Sequence, residues 1–536
     1  MWKVALGIIL GGSVWAAKAP VIGSPDAPVG GTFYRNLEGE PATLNPLRGT
    51  DYYSSVVEGY AFDSLLMRNI ETFEFEPALA EKYDLAKDGK SITFTLRQNA
   101  KFHDGTPVTV EDVKFSFDVN FDSKLADAVK ISYFENIEKA EIISPTQIKF
   151  IIKRKYFGNV EVLGGMEILP RAYYGDLKKK MNKTMMGSGP YMLEKYDQGK
   201  SIVLKRNPNW WGFDLPQFRG YYKFDKIFFR LIKDENAVLE TFKKGDLDFT
   251  GLTPEQYEKK TDGDIWGKTL IKEAVQNSGS KSTPFLGFNL RNLLFKNKDV
   301  RKALSLLVDR KMMIEKFFYN KNIPATGPWY QQNPYADPKA KPIPFDPAAA
   351  RVLFTKAGWA DSNKDGVLDK IIDNKPTDFR FTIIVANPIW EKYLTVYKEE
   401  LKKAGVDVSI KLVEWNAFQK LLDEGSFEAV ALSWTGSIEY DPKQIWHSES
   451  IQKGASNFIA YSNPEVDKLI DKAREELNSE KRKVQLRKAY SMIANDYPYV
   501  FLWNAQYSFY AINKRVQQVK PTYKYDIGLG AWWLAK

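Results

Sequence analysis

A chain of 536 residues is too long for one ordinary hydrophobic core, so at least two domains are expected. Its composition, 44% hydrophobic and 27% charged, is that of a soluble globular protein, and the lack of any cysteine excludes disulfides and a lipid-modified cysteine alike. The net charge of +10 is carried by lysines spread along the chain, with Lys178-Lys179-Lys180 the longest run, which is the pattern of a solvated surface and not of a nucleic-acid footprint.

The N-terminus reads as an address. Lys3 precedes an apolar run over 4–14 and then Trp15-Ala16-Ala17-Lys18-Ala19, the anatomy of a signal peptide over 1–19 cleaved after Ala16, Ala17 or Ala19. The run falls short of the ~20 residues a membrane span needs, and no later segment reaches that length. A first strand is expected over 31–36. Asp88-Gly89 marks a turn, after which Ile92, Phe94 and Leu96 alternate with Thr93, Thr95 and Arg97, the two-residue period of a half-buried strand. Residues 102–107 turn the chain again. Thr109 then caps a helix, with Asp112 three residues on and Val113 and Phe117 on its inner face. A hairpin follows, 137–143 and 147–153, around Ser144-Pro145-Thr146.

Further on, 226–232 reads as a strand and 236–244 as a helix closed by Gly245. A helix over 299–308 places Val300, Leu304 and Leu307 on one face. Alternating α and β elements come next: a strand over 379–386, a helix over 389–404 with Trp390, Leu394, Tyr397 and Leu401 inward, a strand over 406–413 and a helix over 416–424. The nearly all-apolar strand 427–434 has the character of one buried on both faces. Asn463-Pro464 opens a helix as N-cap and first residue, with Val466, Leu469, Ile470 and Ala473 facing in. A single strand is expected over 497–510. The Pro-rich stretch 324–347 reads as an irregular surface excursion.

The order of residues in 76–118, EPALAEKYD, then FTLR, then FHDGTPVTVEDVKFS, resembles the signature of the bacterial extracellular solute-binding proteins of family 5, the oligopeptide- and dipeptide-binding group. Leu44-Asn45-Pro46, VVEGYAFDSLL at 56–66, Gly187-Ser188-Gly189-Pro190-Tyr191, VLKRNPNWWG at 203–212 and FLGFNL at 285–290 resemble further segments of the same family. The glycines of 187–191 are expected at a tight crossing where a side chain would not fit, a packing role. The resemblance implies an α/β, periplasmic-binding-protein-like fold of type II, with two lobes joined by a hinge and an extra subdomain in the first lobe. Lobe I would comprise 20–70, 188–284 and 503–536, the extra subdomain 71–187, and lobe II 285–502, with crossings near 285–290 and 498–504.

The function so implied is that of a soluble periplasmic receptor of an ATP-binding cassette importer in a Gram-negative cell, not a lipoprotein. It would capture peptides between its lobes by hinge closure and deliver them to inner-membrane permease subunits, acting as a monomer without cofactor or nucleic acid. An oligosaccharide or other small-solute binder of the same fold is the alternative, and a secreted hydrolase a more remote one. Enzyme chemistry finds little support: His103 and His447 are the only histidines, and no G-x-S-x-G, H-E-x-x-H or phosphate-loop motif is present.

In open α/β sheets, ligands sit beyond the carboxyl ends of strands. That singles out the loop leaving 427–434, Trp434-Thr435-Gly436-Ser437-Ile438-Glu439-Tyr440-Asp441-Pro442. From the residues alone, Trp434 as a core ring and Asp441-Pro442 as a turn compete with a ligand role. The resemblance adds that peptide binders of the family carry a similar W-[TC]-[GA]-D loop whose acid pairs with the peptide α-amino group. Ser437 stands where that acid would be, so Glu439 is the expected replacement, with Asp441 structural. The resemblance also implies ligand-lining roles for Glu40, Tyr133 and Trp415; in the oligosaccharide alternative, Trp415 and Trp434 would be stacking platforms. Ala431 replaces an arginine that helps oligopeptide binders receive a ligand carboxylate, so their length selection is not expected. Finally, Asp361, Asn363, Asp365 and Asp369 occupy ligand positions of a calcium-like loop, but Ile372 stands where its bidentate glutamate belongs. No metal is expected there, and the acids read as bonding their own backbone.

Overall fold

The computed structural model describes residues 21–49, 51–122, 134–176 and 181–535; the signal-peptide reading of 1–19 and the Tyr133 assignment fall outside these. Three larger sheets organise the described residues. The first has seven strands in the order Leu270–Val275, Ser508–Asn513, Phe249–Leu252, Thr32–Leu37, Lys226–Leu231, Ser201–Arg206, Tyr191–Asp197. Its centre is parallel: Thr32 pairs with Lys226 and Leu37 with Leu231. Phe33 and Leu37 are buried on one face, with Phe33 stacked on Phe224 at 4.5 Å.

The second sheet is antiparallel, Ala80–Leu85, Ser91–Leu96, Gln147–Ile152, Ile137–Ser144. Ile92, Phe94 and Leu96 point into its core, as their two-residue period predicts. Helix Val110–Asp118 covers that face. Thr109 accepts from the Asp112 N–H while the Asp112 carboxylate accepts from the Thr109 N–H, so the capping box forms despite its short acid. Val113 and Phe117 are buried beneath, Phe117 meeting Phe150 at 5.3 Å.

The third sheet runs Asp407–Leu412, Arg380–Val385, Ala429–Trp434, Thr283–Phe288, Tyr499–Phe501. Phe285, Ile384 and Val430 feed one core and Leu286, Ile383 and Ala431 another. Both faces are therefore covered, which is why 429–432 is wholly apolar.

Three expectations need correction. The segment 56–66, which resembles a helix of the family, is helical only as far as Ala61; the helix runs Tyr52–Ala61, because Asp51 caps it by accepting from the Ser54 N–H. The expected strand 497–510 is three, Tyr499–Phe501, Trp503–Ala505 and Ser508–Asn513, each in a different sheet. Leu502, the single residue between the first two strands, is as apolar and buried as its neighbours, so nothing in 499–503 marks where the chain leaves one sheet for the next. Between Pro324 and Pro347 the backbone is irregular, and 338–346 runs along the surface as expected, but the part before it does not: Trp329, Tyr330 and Tyr335 are each 1% exposed. Proline content speaks to backbone regularity, not to burial.

Candidate functional site

Parallel strands present their carboxyl ends on one edge. Arg380–Val385, Asp407–Leu412 and Ala429–Trp434 share a direction, so the segments starting at 386, 413 and 435 emerge together. Thr283 pairs with Trp434 and Phe285 with Phe501. The strand arriving from the first sheet thus begins, and the strand returning to it ends, at that same edge. In the first sheet, Thr32–Leu37, Lys226–Leu231, Phe249–Leu252 and Leu270–Val275 also run one way, ending where the crossing 276–282 departs. The carboxyl edges of both sheets border the crossings, where open α/β folds bind their ligands.

Trp434 closes its strand at this edge. Its ring stacks on Phe285 at 5.9 Å, meets Phe458 at 5.6 Å, and its indole N–H donates to the Tyr499 hydroxyl at 3.2 Å, so the ring is held mainly by the core and is only half-buried. Thr435 and Ser437 are exposed. A Cβ at Gly436 would lie 2.1 Å from the Lys281 carbonyl oxygen, so only glycine lets the loop lie against the crossing. The Ser437 carbonyl accepts from Tyr330 and Asn333, at 3.2 and 2.9 Å. Trp415, first residue of helix Trp415–Asp423, is 50% exposed and stacks on Phe418 at 5.7 Å. That leaves an open aromatic face at the same edge.

The acids are differently placed from what their spacing suggested. Glu439 Oε2 accepts from Arg482 at 2.7 Å and from the Tyr335 hydroxyl at 2.6 Å. The carboxylate expected to wait for a ligand amine thus has a resident cation. Asp441 accepts from Arg474 Nε at 3.0 Å and from the Lys443 N–H at 3.1 Å, the structural part expected of it. Glu40 accepts from the Tyr196 hydroxyl at 2.7 Å and the Gly199 N–H at 2.8 Å, bonds that hold its carboxyl below the ordinary range. It is pinned to the first sheet and shares no bond with the loop 434–441. Asp361, Asn363, Asp365 and Asp369 all accept from backbone N–H groups of their own loop.

Sequence reading missed Glu38 and Glu235. With Thr250, Thr253 and Gln256 they line a cavity of about 190 Å³ at the carboxyl end of Phe249–Leu252. Burial and the charge of Glu235 raise the Glu38 carboxyl. An acid directly after the strand Thr32–Leu37 was the available signal. It also missed a second cavity of about 480 Å³, between Tyr156 and Asn136 on one side and Asp441, Lys443 and Arg474 on the other.

The histidines serve the backbone. His103 Nδ1 accepts from the Gly187 N–H at 3.2 Å and Nε2 donates to the Gly189 carbonyl at 3.1 Å. His447 Nδ1 accepts from the Glu449 N–H at 3.1 Å, and Nε2 faces Asp471 at 3.4 Å. Among the described residues neither ring meets a hydroxyl it could activate.

A helix-covered sheet joined twice to a second sheet across their carboxyl edges, with a separate antiparallel sheet carrying the signature, defines a solute-binding fold of the type II periplasmic class. The chain belongs to the bacterial extracellular solute-binding proteins, family 5: residues 74–456 match that family's middle region. It is 28% identical over 525 residues to the oligopeptide-binding protein AppA of Bacillus subtilis (strain 168), covering 95% of this chain and 92% of that one. The structure of AppA from Bacillus subtilis in complex with a nonapeptide superposes with a TM-score of 0.79 at 27% identity, covering 95% of this chain and all of that one. DppA from Helicobacter pylori with the peptide STSA (TM-score 0.77, 22% identity, 95% and 99% covered) has the same fold. So has NikZ from Campylobacter jejuni with Ni(L-His) (0.76, 22%, 94% and 99%). No helix among the described residues is long and apolar enough to cross a membrane.

Proposed function

We propose that this protein is the exported receptor of an ATP-binding cassette importer for peptides. It would hold an extended peptide between a first lobe built on the seven-stranded sheet and a second built on the five-stranded sheet, and present the closed form to membrane permease subunits. The observation that carries this reading is the likeness, across 95% of the chain, to a structure that holds a nonapeptide. The site's chemistry agrees with it. The loop 434–437 offers backbone groups and the Thr435 and Ser437 hydroxyls, which suit a peptide main chain of varied sequence. Glu40, on the side of the first sheet, and the half-buried Trp434, on the side of the second, would line opposite walls of the binding space. Because Arg482 already neutralises Glu439, the peptide amine would be held chiefly by carbonyls and by acids such as Glu38, rather than by a free carboxylate in the loop.

The half-exposed Trp415 ring favours one second reading, an oligosaccharide stacked on that face. Native mass spectrometry on protein exported by its bacterial host and purified without refolding separates the two. Peptide masses released from the complex are expected; a ladder of hexose spacings would overturn the peptide reading. The same spectrum reads the mature N-terminus, expected between Ala17 and Pro20.

A further inference from the structure

Two arginines tie the ligand loop to the four-stranded sheet. Arg482, in the first turns of helix Ser479–Asp496, is 4% exposed. It bonds Glu439 and the Tyr335 hydroxyl, and its guanidinium lies 4.1 Å from the ring centre of Phe157. Arg474, in the last turn of helix Pro464–Glu475, is 7% exposed. It bonds Asp441 and lies 4.6 Å from the ring centre of Tyr156, while its carbonyl accepts the Phe157 N–H at 2.9 Å. Tyr156 and Phe157 are consecutive, four and five residues beyond the strand Gln147–Ile152. Around them, Arg154 reaches Asp471 at 3.7 Å, and Gly89 of the same sheet packs beside Leu477.

Each guanidinium is therefore shared between an acid of the loop and an aromatic ring from the other side. The acid offsets the cost of burying the charge, and the flat cation offers its face to the ring. Arg482 also donates to the Glu476 carbonyl at 2.9 Å and the Tyr335 hydroxyl at 2.8 Å, so the acid and its arginine form one unit, and the ring meets that unit from the other side.

We propose that Tyr156 and Phe157, gripped by Arg474 and Arg482, form a clasp that positions the ligand loop 434–441, with Asp441 and Glu439 as its inner anchors. Engagement of the clasp and the ligand-competent geometry of the loop are then one event. The acids of this loop act as positioning residues through their arginines. The proposal rests on the receptor reading for its ligand, not for its geometry.

The cysteine-free chain makes the test direct. Cysteines replacing the exposed Lys101 and Lys420 carry spin labels, one beside the four-stranded sheet and one on helix Trp415–Asp423. Distances are measured by pulsed resonance on protein stripped in guanidinium and refolded, with and without a tryptic digest of casein. Replacing Tyr156→Ala and Phe157→Ala together is expected to shift the ratio of short to long separations by about tenfold and to speed peptide release by a similar factor, as two lost cation–π contacts imply. Circular dichroism checks the fold; should the double variant melt early, Phe157→Leu, which keeps the apolar contact and loses the π face, carries the same measurement. Superimposable distance distributions with unchanged release would overturn the clasp. A wild type that binds no peptide, yet whose distances lengthen on substitution, would refute the peptide reading and support the clasp.

Discussion

Asp63 and His103 both border the Gly187-Ser188-Gly189 segment and titrate in opposite senses. Asp63 accepts from the indole N–H groups of Trp210 and Trp211 at 3.1 and 2.7 Å, and burial among these rings pushes its pKa up to about 7. Burial pushes His103 down to about 4, and its Nδ1 already accepts a backbone N–H, leaving no room for a second proton. The unfolded references are roughly 3.9 and 6.5. Between pH 4 and 7 the folded state holds more protons than the unfolded at Asp63, so that group's contribution to stability falls as pH rises. Between pH 4 and 6.5 the unfolded state holds more protons at His103, so its contribution rises over that window. The two offset each other in the wild type. Asp63→Asn is expected to steepen the rise of melting temperature across pH 4–6.5 relative to wild type, and His103→Gln to turn the difference downward; parallel profiles for all three proteins would refute this. Glu439→Gln poses a second question at this scale. It strands Arg482 with its charge buried, and breaking one side of such a pair costs roughly 3–5 kcal/mol. Urea unfolding should show that loss without any peptide present, and Arg482→Met in the same chain should recover part of it. A fully stable Glu439→Gln would mean that the pair is not the loop's anchor.

At the scale of elements, local chemistry was readable and long-range placement was not. Thr109 and Asp112 were legible as a cap because both halves lie within four residues. Thr109→Ala is expected to cost about 1 kcal/mol of stability in denaturant titration. Asp112→Ala should cost more, since its other oxygen accepts the Arg171 N–H at 2.9 Å, a bond between two elements. Equal losses would show that the bond to Arg171 contributes nothing. Gly187 and Gly189 were legible as a close approach, and a Cβ on either would meet the carbonyl group of Ala61 at under 3 Å. The residue that receives them was not legible, because nothing in a glycine names its neighbour. The loop 434–442 was singled out as a candidate because it follows an apolar strand. Its cations were missed because Arg474 and Arg482 come 33 and 43 residues later, on helices whose sequence shows only an ordinary charged face.

For the whole molecule, the geometry of two sheets meeting at their carboxyl edges predicts hinge closure. A casein digest should lower the radius of gyration in solution scattering and raise the melting temperature, since a ligand that binds only the native state stabilises it. An unchanged scattering curve at saturation would argue for a rigid molecule. The sequence by itself determined the family, the class of fold, the caps and the strand periods, and it singled out the loop after 427–434 as the candidate site. Each of these depends on residues a few positions apart, whose spacing is set by the geometry of one strand or one helix turn. Tertiary structure alone decided that the strand 497–510 is divided among three sheets, that the first part of the stretch 324–347 is buried, and that the acids of the loop 434–441 meet arginines instead of open solvent. Those outcomes depend on which surfaces the folded chain brings together across tens to hundreds of residues, and a charge or a ring in sequence does not carry the identity of the partner that will neutralise or cover it.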